Sequence, residues 1–301
     1  MASAVVCGVA AVAVLSAIVM TGSFMREVRL GARLGPPARV GDAHPAAALS
    51  ADVVRRLDAL IAAFPGKAGV WIADSVSTAP LYSHAANTGV VSASLYKLGV
   101  LLETERRVER GDLHYSDFIT IQPDDVTDEG SAYEAGTVLS IDEALEAMIT
   151  VSDNGAALAV LRLVGGDAID ATLERAGIAD FHVTLDRDGN TMATPRAVGT
   201  FFTLLAQKRL ISASASERML ARLERQRIND RLPAALPDAV VVAHKTGNLV
   251  GLTHDAGIIF TPAGPRIVVV MTWDSFDGAT AFIAQVGAIV YAASPAGARA
   301  P

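Results

Sequence analysis

Three runs of apolar, mostly β-branched residues lie close together in the last third of the chain. The runs are 239–244 (AVVVAH), 254–260 (HDAGIIF) and 266–273 (RIVVVMTW). Two short segments bounded by Gly or Pro, 247–251 and 262–265, separate them. β-Branched residues favour strands, and consecutive strands joined by short turns pair antiparallel. The sequence therefore predicts an antiparallel sheet here, with turns at those two segments.

The first part of the domain and its last helix complete this sheet region. Ser50 is a residue type that favours N-caps, and the helix predicted after it has an apolar stripe that reaches Phe64. Residues 68–74 and 80–83 predict a short hairpin. After the last strand, a closing helix places four apolar residues on one face: Phe282, Val286, Ile289 and Val290.

The middle of the chain, residues 92–232, alternates helical stripes with loops and has almost no strand pattern. We therefore predict an α+β fold, in which an antiparallel sheet from both chain ends is flanked by the terminal helices and lies beside an inserted helical sub-domain. The domain is expected to span residues 50–295. Its sheet sub-domain comprises residues 50–84 and 236–295, and its helical sub-domain comprises residues 85–235.

The residues that precede this domain divide into two segments. Residues 4–25 contain no charged side chain and are numerous enough for a helix that spans a bilayer. We predict that residues 1–25 are a membrane anchor, with a signal peptide, cleaved or uncleaved, as the alternative. No Lys or Arg precedes the apolar run, and no clear small-x-small cleavage site follows it. Residues 26–49 lack periodicity and contain Gly and Pro clusters, which is typical of a linker.

Composition argues against several classes of function. The chain has 25 Lys and Arg residues against 32 Asp and Glu, for a formal net charge of −7. It therefore lacks the excess of cations that binding to a nucleic acid requires. One cysteine rules out a disulfide framework, and the six histidines never occur at H-x-H or H-E-x-x-H spacing. We expect no metal, no cofactor and no nucleic-acid partner.

Three short motifs follow one another along the chain: Ser94-x-x-Lys97, Ser152-Asp-Asn154 and Lys245-Thr-Gly247. The first is weak by itself, because about one S-x-x-K is expected by chance in a chain of this size. A given tripeptide such as SDN or KTG occurs by accident only a few hundredths of a time, on the order of one chain in thirty. The ordered set of three is therefore a strong signal.

The first motif has the residues of an activated nucleophile. Residues 95–102 (LYKLGVLL) are apolar on nearly all sides, which predicts a buried helix with Ser94 at its N-terminus. Lys97 follows one turn later, on the same face as Ser94. A serine hydroxyl needs a base, and a buried lysine near a second cation loses its proton more easily. Lys245 is the candidate second cation. Gly247 is predicted to end its strand and to leave room for a substrate at the strand edge.

Together these motifs resemble those of the class A serine β-lactamases and the penicillin-binding DD-peptidases. The resemblance extends from about residue 50 to 292 and includes the phrase AHKTGNLVGLTHDAGIIF around the third motif. SDN in place of Y-x-N indicates class A rather than class C. The implied fold is that of this superfamily.

The resemblance implies a role for each catalytic candidate. Ser94 would attack the lactam carbonyl and form an acyl-enzyme, with Lys97 as the general base. Ser152 would pass a proton to the departing lactam nitrogen, and Lys245 would be the second cation near Lys97. Asp153 would be a structural hydrogen-bonding residue.

Four further residues would bind the substrate by the same resemblance. Asn154 would hold the side-chain amide of the substrate. Thr246 and Lys245 would bind its carboxylate, beside Gly247. The backbone N–H groups of Ser94 and Asn248 would form the oxyanion hole.

The sequence departs from the class A pattern at one position that matters for turnover. Class A enzymes have an Ω-loop with E-x-x-x-N, whose Glu activates the deacylating water. The matching stretch here, residues 184–190 (TLDRDGN), begins like that loop but contains no Glu. Asp188 is the nearest acid and is the candidate deacylation base, although a carboxylate before Gly-Asn is also typical of a turn.

The predicted function is a serine β-lactamase-like hydrolase that forms a Ser94 acyl-enzyme with β-lactams and hydrolyses the amide. The alternatives are a DD-peptidase-like protein with slow or no deacylation, and a penicillin-binding sensor. The expected substrate is a β-lactam or a peptidoglycan stem peptide, and the expected state is a monomer. We expect an extracytoplasmic protein, anchored through residues 4–25 or secreted. The arginines that follow this run conflict with that location under the positive-inside rule.

Overall fold

The computed structural model describes residues 48–294 of the 301-residue chain. Helices of this part are α1 (Ala51–Ala63), α2 (Lys97–Arg110), α3 (Ile141–Thr150), α4 (Asn154–Val164), α5 (Gly166–Arg175), α6 (Pro195–Ala206), α7 (Ala213–Leu223) and α8 (Ala279–Ala292). Its strands are β1 (Lys67–Asp74), β2 (Tyr82–His84), β3 (Val90–Val91), β4 (Phe118–Thr120), β5 (Val138–Ser140), β6 (Phe181–His182), β7 (Met192–Ala193), β8 (Val242–Leu249), β9 (Leu252–Thr261) and β10 (Gly264–Trp273). Short 3-10 turns lie at Ala93–Tyr96 and Pro123–Asp125.

A five-stranded sheet in the order β2-β1-β10-β9-β8 organises the fold. Every neighbouring pair in it is antiparallel, and β1 from the start of the domain pairs along its whole length with β10 from the end. The predicted sheet from both chain ends, and with it the α+β class, is therefore confirmed. β8 lies at the edge of this sheet.

The sheet separates two apolar cores. One face packs against α1 and α8, where the rings of Phe64 and Phe282 stack with centroids 4.4 Å apart. The other face, which includes Trp71 and Met271, packs against the helical part of the chain. The predicted N-cap and closing helix are confirmed, because Ser50 Oγ accepts the N–H of Val53 at 3.3 Å and the predicted apolar face of α8 is buried.

All five strands of this sheet differ in their bounds from the sequence prediction. β1 starts one residue earlier than predicted, β9 is longer at both ends, and β10 starts at Gly264, so the predicted turn at 262–265 is wrong for its last two residues. The hairpin is present, but its second strand is Tyr82–His84 rather than 80–83. The first strand of the last third starts later and ends later than residues 239–244, because its ladder with β9 continues to the pair Leu249 and Leu252. Gly251, with φ of +73°, allows the tight turn that closes this ladder. The third motif therefore lies inside β8, and the predicted turn at 247–251 is wrong for its first three residues.

The helical part of the chain also contains strand pairs that the sequence did not reveal. β3, β7 and β6 form a small sheet, and β4 pairs with β5. These strands are only two or three residues long, which is too short for an alternating pattern to be recognised. β3 matters for function because it leads directly into the 3-10 turn that contains Ser94.

The predicted buried helix after Ser94 is confirmed. In α2, every residue from Lys97 to Glu105 is buried. Within residues 48–294, none of the helices is long and apolar enough to cross a membrane. The predicted anchor at residues 4–25 and the predicted linker up to residue 47 lie outside the described part of the chain.

The contact between α6 and the sheet depends on a glycine. A Cβ added to Gly199 would lie 2.2 Å from Cδ1 of Trp71, so the Trp71 ring fills the space above α6. We expect Gly199→Ala to lower the free energy of unfolding by about 1–3 kcal/mol, because the overlap must be relieved by moving a buried ring. Urea unfolding measures the change.

Gly89→Ala is the matched control. The nearest atom to a Cβ at Gly89 is Met192 Cε at 3.9 Å, an ordinary contact. We expect a change within about 0.5 kcal/mol for this control. Equal stabilities of the two variants would contradict the close packing of Trp71 on α6.

Candidate active site

The fold brings the three motifs together from three different elements. Ser94 lies in the 3-10 turn between β3 and α2, and the second motif lies between α3 and α4. Lys245, Thr246 and Gly247 lie on β8, the edge strand of the large sheet. The motifs are far apart in sequence, so their meeting is a property of the tertiary structure.

A hydroxyl group lies between two buried lysines at the centre of this site. Nζ of Lys97 donates to Oγ of Ser152 at 3.2 Å and to its carbonyl oxygen at 2.6 Å. Nζ of Lys245 donates to the same Oγ at 3.0 Å and to the carbonyl oxygen of Thr246 at 2.9 Å. Lys97 and Lys245 are both 0% exposed. Ser152 therefore links the two ammonium groups directly.

Burial sets the proton affinity of both lysines. Desolvation lowers the pKa of Lys97 from 10.5 to about 7, and the negative charge of Asp153 opposes this shift. Desolvation also lowers the pKa of Lys245, and the nearby charge of Lys97 lowers it further. Two ammonium groups that share one hydroxyl in a buried site disfavour each other's charge. A lysine of this kind can serve as a base near neutral pH.

Ser94 is partly exposed and lies three residues before Lys97, in the turn that leads into α2. In a 3-10 turn, residues three apart lie above one another, so Ser94 and Lys97 occupy the same side. Oγ of Ser94 has no hydrogen-bond partner within residues 48–294, and Lys97 Nζ is directed to the second motif instead. Ala93, immediately before the serine, has φ of +46°, which is strained for a residue with a Cβ. The turn that presents Ser94 is therefore held in place by its surroundings.

The second motif is also held in a strained backbone. Ser152 has φ of +60°, in the left-handed region. Asp153 fixes the turn from both sides, because its carboxylate accepts the N–H of Ala156 at 2.7 Å and that of Ala132 at 2.6 Å. It is the N-cap of α4. Asp153 has the structural role that the sequence suggested.

Asn154 connects the second motif to a neighbouring loop. Its Oδ1 accepts from Lys97 Nζ at 2.7 Å, and its Nδ2 donates to the carbonyl oxygen of Glu129 at 3.0 Å. Gly130 lies so close that a Cβ there would be 2.8 Å from Asn154 Nδ2. The amide is therefore oriented by contacts on both sides.

Gly247 is needed for the approach of the nucleophile segment. A Cβ at Gly247 would lie 3.2 Å from the carbonyl oxygen of Ser92 and 3.3 Å from Cβ of Ala93. The space that the sequence suggested for a substrate is thus occupied by the chain itself. Thr246 is buried beside it, and Asn248 is exposed on the same edge strand.

The structure does not bring Asp188 into the polar cluster. Residues 186–190 form a self-contained turn, in which Oδ1 of Asp186 accepts the N–H groups of Asp188 and Asn190, both at 2.9 Å. The side chain of Asp188 is exposed, and its carboxylate has no hydrogen bond or ion pair with any described residue. Thr191, the residue after this turn, contacts the segment that leads to Ser94, because its Oγ1 lies 2.7 Å from Oγ of Ser92.

Sequence reasoning missed a cation at the end of β8. The buried guanidinium of Arg231 donates to the carbonyl oxygens of Gly247 at 3.0 Å and His254 at 2.8 Å, and to Oδ1 of Asn248 at 3.2 Å. Arg231 thus stabilises the β8 segment that follows Lys245. Arg231 is one of three arginines in the loop of 18 residues between α7 and β8, and nothing in the sequence distinguishes it from the other two.

Two histidines flank the third motif and are both buried. His244 hydrogen-bonds to Asp255 through Nδ1 at 2.8 Å and to Asn229 through Nε2 at 3.0 Å. His254 reaches the carbonyl oxygen of Val91 with Nε2 at 2.9 Å. Within residues 48–294, no group of three or more His, Cys, Asp or Glu side chains has the arrangement of a metal site.

Comparison with known proteins agrees with this arrangement. The profile of the β-lactamase enzyme family matches residues 52–294. A β-lactamase of Streptomyces fradiae is 27% identical over 258 residues, which cover 79% of this chain and 84% of that protein. An ancestral class A β-lactamase superposes with a TM-score of 0.73 at 26% identity, covering 80% of this chain and 99% of that one. PBP-A superposes with a TM-score of 0.74 at 24% identity, covering 83% and 97%.

The fold and the site define a serine hydrolase of the kind that acts on β-lactams. The chain belongs to the β-lactamase enzyme family. Its fold is that of the serine β-lactamases and penicillin-binding proteins, as the sequence motifs indicated.

The coupling of the two lysines can be measured directly. We expect Lys97→Met to raise the pKa of Lys245, because the substitution removes the like charge that disfavours the Lys245 ammonium. NMR titration of the Lys245 side chain in both proteins measures the change. An unchanged pKa of Lys245 would show that its proton affinity is independent of Lys97.

Proposed function

We propose that the chain is a class A-like β-lactamase that forms a covalent acyl-enzyme at Ser94 and then hydrolyses it. The observation that carries this proposal is the pair of buried lysines joined through Oγ of Ser152, beside a partly exposed serine. A buried base, a proton-transferring hydroxyl and a nucleophile are the groups that acyl transfer to serine requires.

Acylation uses these groups in sequence. Neutral Lys97 takes the proton of Ser94, and Oγ of Ser94 forms a bond to the lactam carbonyl carbon. The C–N bond then breaks, and Ser152 donates its proton to the departing nitrogen. Oγ of Ser152 is hydrogen-bonded to both lysine Nζ atoms, so its proton is replaced from a neighbouring ammonium group.

The third motif binds the charged part of the substrate. A carboxylate placed beside Lys245 favours the protonated form of that lysine, because an opposite charge compensates for its burial. The Thr246 hydroxyl has no hydrogen-bond partner among residues 48–294 and is available to the same carboxylate. The backbone N–H groups of Ser94 and Asn248 are the proposed oxyanion donors, and Asn154 is the proposed partner of the substrate amide.

A second candidate function is a penicillin-binding protein of the DD-peptidase type that releases its acyl group slowly. One observation favours this function. Asp188, the candidate deacylation base, is exposed and has no hydrogen bond or ion pair with the lysine cluster in the described structure. A mutant of the structural neighbour PBP-A has been crystallised as an acyl-enzyme with penicillin G. The two functions share acylation and differ in the lifetime of the adduct.

The location that suits both functions is extracytoplasmic, with residues 4–25 as an anchor or export signal. Support comes from the charge-free composition of that segment and from the location of peptidoglycan outside the membrane.

Time-resolved intact-mass spectrometry with benzylpenicillin tests the proposal. We expect an adduct of one penicillin on the wild-type protein and none on Ser94→Ala, because the nucleophile is absent. If the adduct decays while hydrolysed drug accumulates over many turnovers, the protein is a β-lactamase. A stable adduct would identify the slow-releasing alternative, and an adduct that survives Ser94→Ala would contradict both.

The variant Asp188→Asn decides the source of any deacylation. If Asp188 is the base, we expect the decay of the adduct to slow by at least about 100-fold, the usual effect of losing a general base, with acylation unchanged. Because Asp188 is exposed in a closed turn, we expect the decay rate of the adduct to change little. The experiment therefore distinguishes clearly between Asp188 as the base and Asp188 as a turn residue. Asp186→Ala serves as the control, because it removes the Oδ1 acceptor that closes the turn without removing the Asp188 carboxylate.

The dependence of acylation on pH tests the role of Lys97. Only the neutral amine accepts a proton, so the acylation rate should rise about tenfold per pH unit below pH 7 and level off above it. Quenched-flow mass spectrometry between pH 5.5 and 8.5 measures the rate, and circular dichroism checks that the fold is intact at each pH. A flat profile would exclude Lys97 as the base with this pKa.

A further inference from the structure

The strand that leads to the nucleophile and the strand that contains the third motif belong to different sheets. Ser94 follows β3, which pairs with β7 in the small three-stranded sheet. Lys245 and Thr246 lie on β8 of the five-stranded sheet. A substrate that reacts with Ser94 while its carboxylate lies at the third motif requires a fixed distance between the two sheets. Contacts between the sheets must therefore set that distance.

His254 makes such a contact from β9. Its Nε2 donates to the carbonyl oxygen of Val91 at 2.9 Å, three residues before Ser94, and its Nδ1 accepts the N–H of Thr272 on β10 at 3.1 Å. Within residues 48–294, this is the sole side-chain hydrogen bond between the five-stranded sheet and the segment 90–96. The imidazole is 0% exposed. One ring therefore spans from the centre of the large sheet to β3, the strand that precedes the turn with Ser94.

The position of His254 relates it directly to the third motif. It lies opposite Gly247 in the register of β8 and β9, and its Cβ would be 3.4 Å from a Cβ placed on Gly247. The space above Gly247 is occupied by Ser92 and Ala93. The glycine thus allows the nucleophile segment to approach β8, and the imidazole fixes the separation by a directional bond.

We propose that His254 is a positioning residue, which holds Ser94 in register with the third motif during acylation by donating a hydrogen bond to Val91. This inference rests on the proposed function, and it assigns a role to a histidine that does not contact the reacting atoms. A shift of about 1 Å between nucleophile and substrate is enough to slow an enzyme reaction by roughly 100-fold.

The state of the ring agrees with this role. Nδ1 accepts a hydrogen bond, so the hydrogen of the neutral imidazole is on Nε2, which is the atom that faces Val91. Burial lowers the pKa of His254, and the Arg231 guanidinium, which donates to the His254 carbonyl oxygen, lowers it further. The imidazole therefore stays neutral at pH 7 and keeps both hydrogen bonds.

Two amide variants separate the two hydrogen bonds of the ring. In His254→Gln the amide nitrogen reaches the place of Nε2 and can donate to Val91. In His254→Asn the side chain is one methylene shorter, so its oxygen can take the place of Nδ1 and accept from Thr272, but Val91 is out of reach. The chemistry of the two side chains is otherwise the same.

The measurement is the rate constant of acylation by saturating benzylpenicillin at pH 7, followed by quenched-flow mass spectrometry. We expect His254→Asn to acylate roughly 10- to 100-fold more slowly than wild type, and His254→Gln to stay within about threefold. Val268→Ala is the stability control, because Val268 lies on the opposite face of the sheet, in the core with α1 and α8. It should lose stability in urea without a change in acylation.

Several outcomes would overturn the inference. Equal acylation by the Asn variant and the wild type would show that the bond to Val91 is unnecessary. A folded Gln variant that is slowed more than tenfold would show that the bond to Val91 is not sufficient to position Ser94, and this arm remains decisive if the Asn variant does not fold. A wild-type protein that forms no adduct would instead refute the proposed function itself, and the inference with it.

Discussion

The burial of two lysine ammonium groups around one hydroxyl is the constraint on which the rest of this site depends. Lys97 and Lys245 are both inaccessible to solvent and both donate to Oγ of Ser152. Burying charge is unfavourable unless it is compensated, and here the compensation comes from carbonyl and amide oxygens as well as from a lowered pKa. A lysine that would be an inert cation at the surface thereby becomes a base near neutral pH.

The same region joins the five-stranded sheet to the segment that follows β3 of the three-stranded sheet. The segment before Ser94 packs closely over Gly247, where a Cβ would lie 3.2 Å from the carbonyl oxygen of Ser92, and it receives a hydrogen bond from His254. Strained backbone at Ala93 and Ser152 lies at this junction. Strain of this kind persists only where the surrounding contacts over-determine the conformation. The junction of the two sheets and the candidate chemistry are therefore one structural unit.

The lysine cluster and the loop 184–190 share no hydrogen bond among the described residues. Lys97, Ser152, Asn154 and Lys245 form one hydrogen-bonded cluster, whereas residues 186–190 form a turn closed on its own residues, with Asp188 exposed. Thr191, the residue after this loop, contacts the nucleophile segment through Oγ of Ser92. The loop 184–190 contains no Glu, which is the departure from the class A pattern that the sequence showed.

The sequence by itself determined the type and order of the main elements and the three motifs, because apolar periodicity, caps and motif spacing are local properties. It did not determine the two-residue strands, the full length of β8, or the hydrogen bonds that Arg231 and His254 make to neighbouring segments. Those features arise from contacts between segments distant in sequence. Tertiary structure alone decided that Lys97 meets Ser152, 55 residues away, since only the packed core removes the water that would otherwise keep its ammonium group charged.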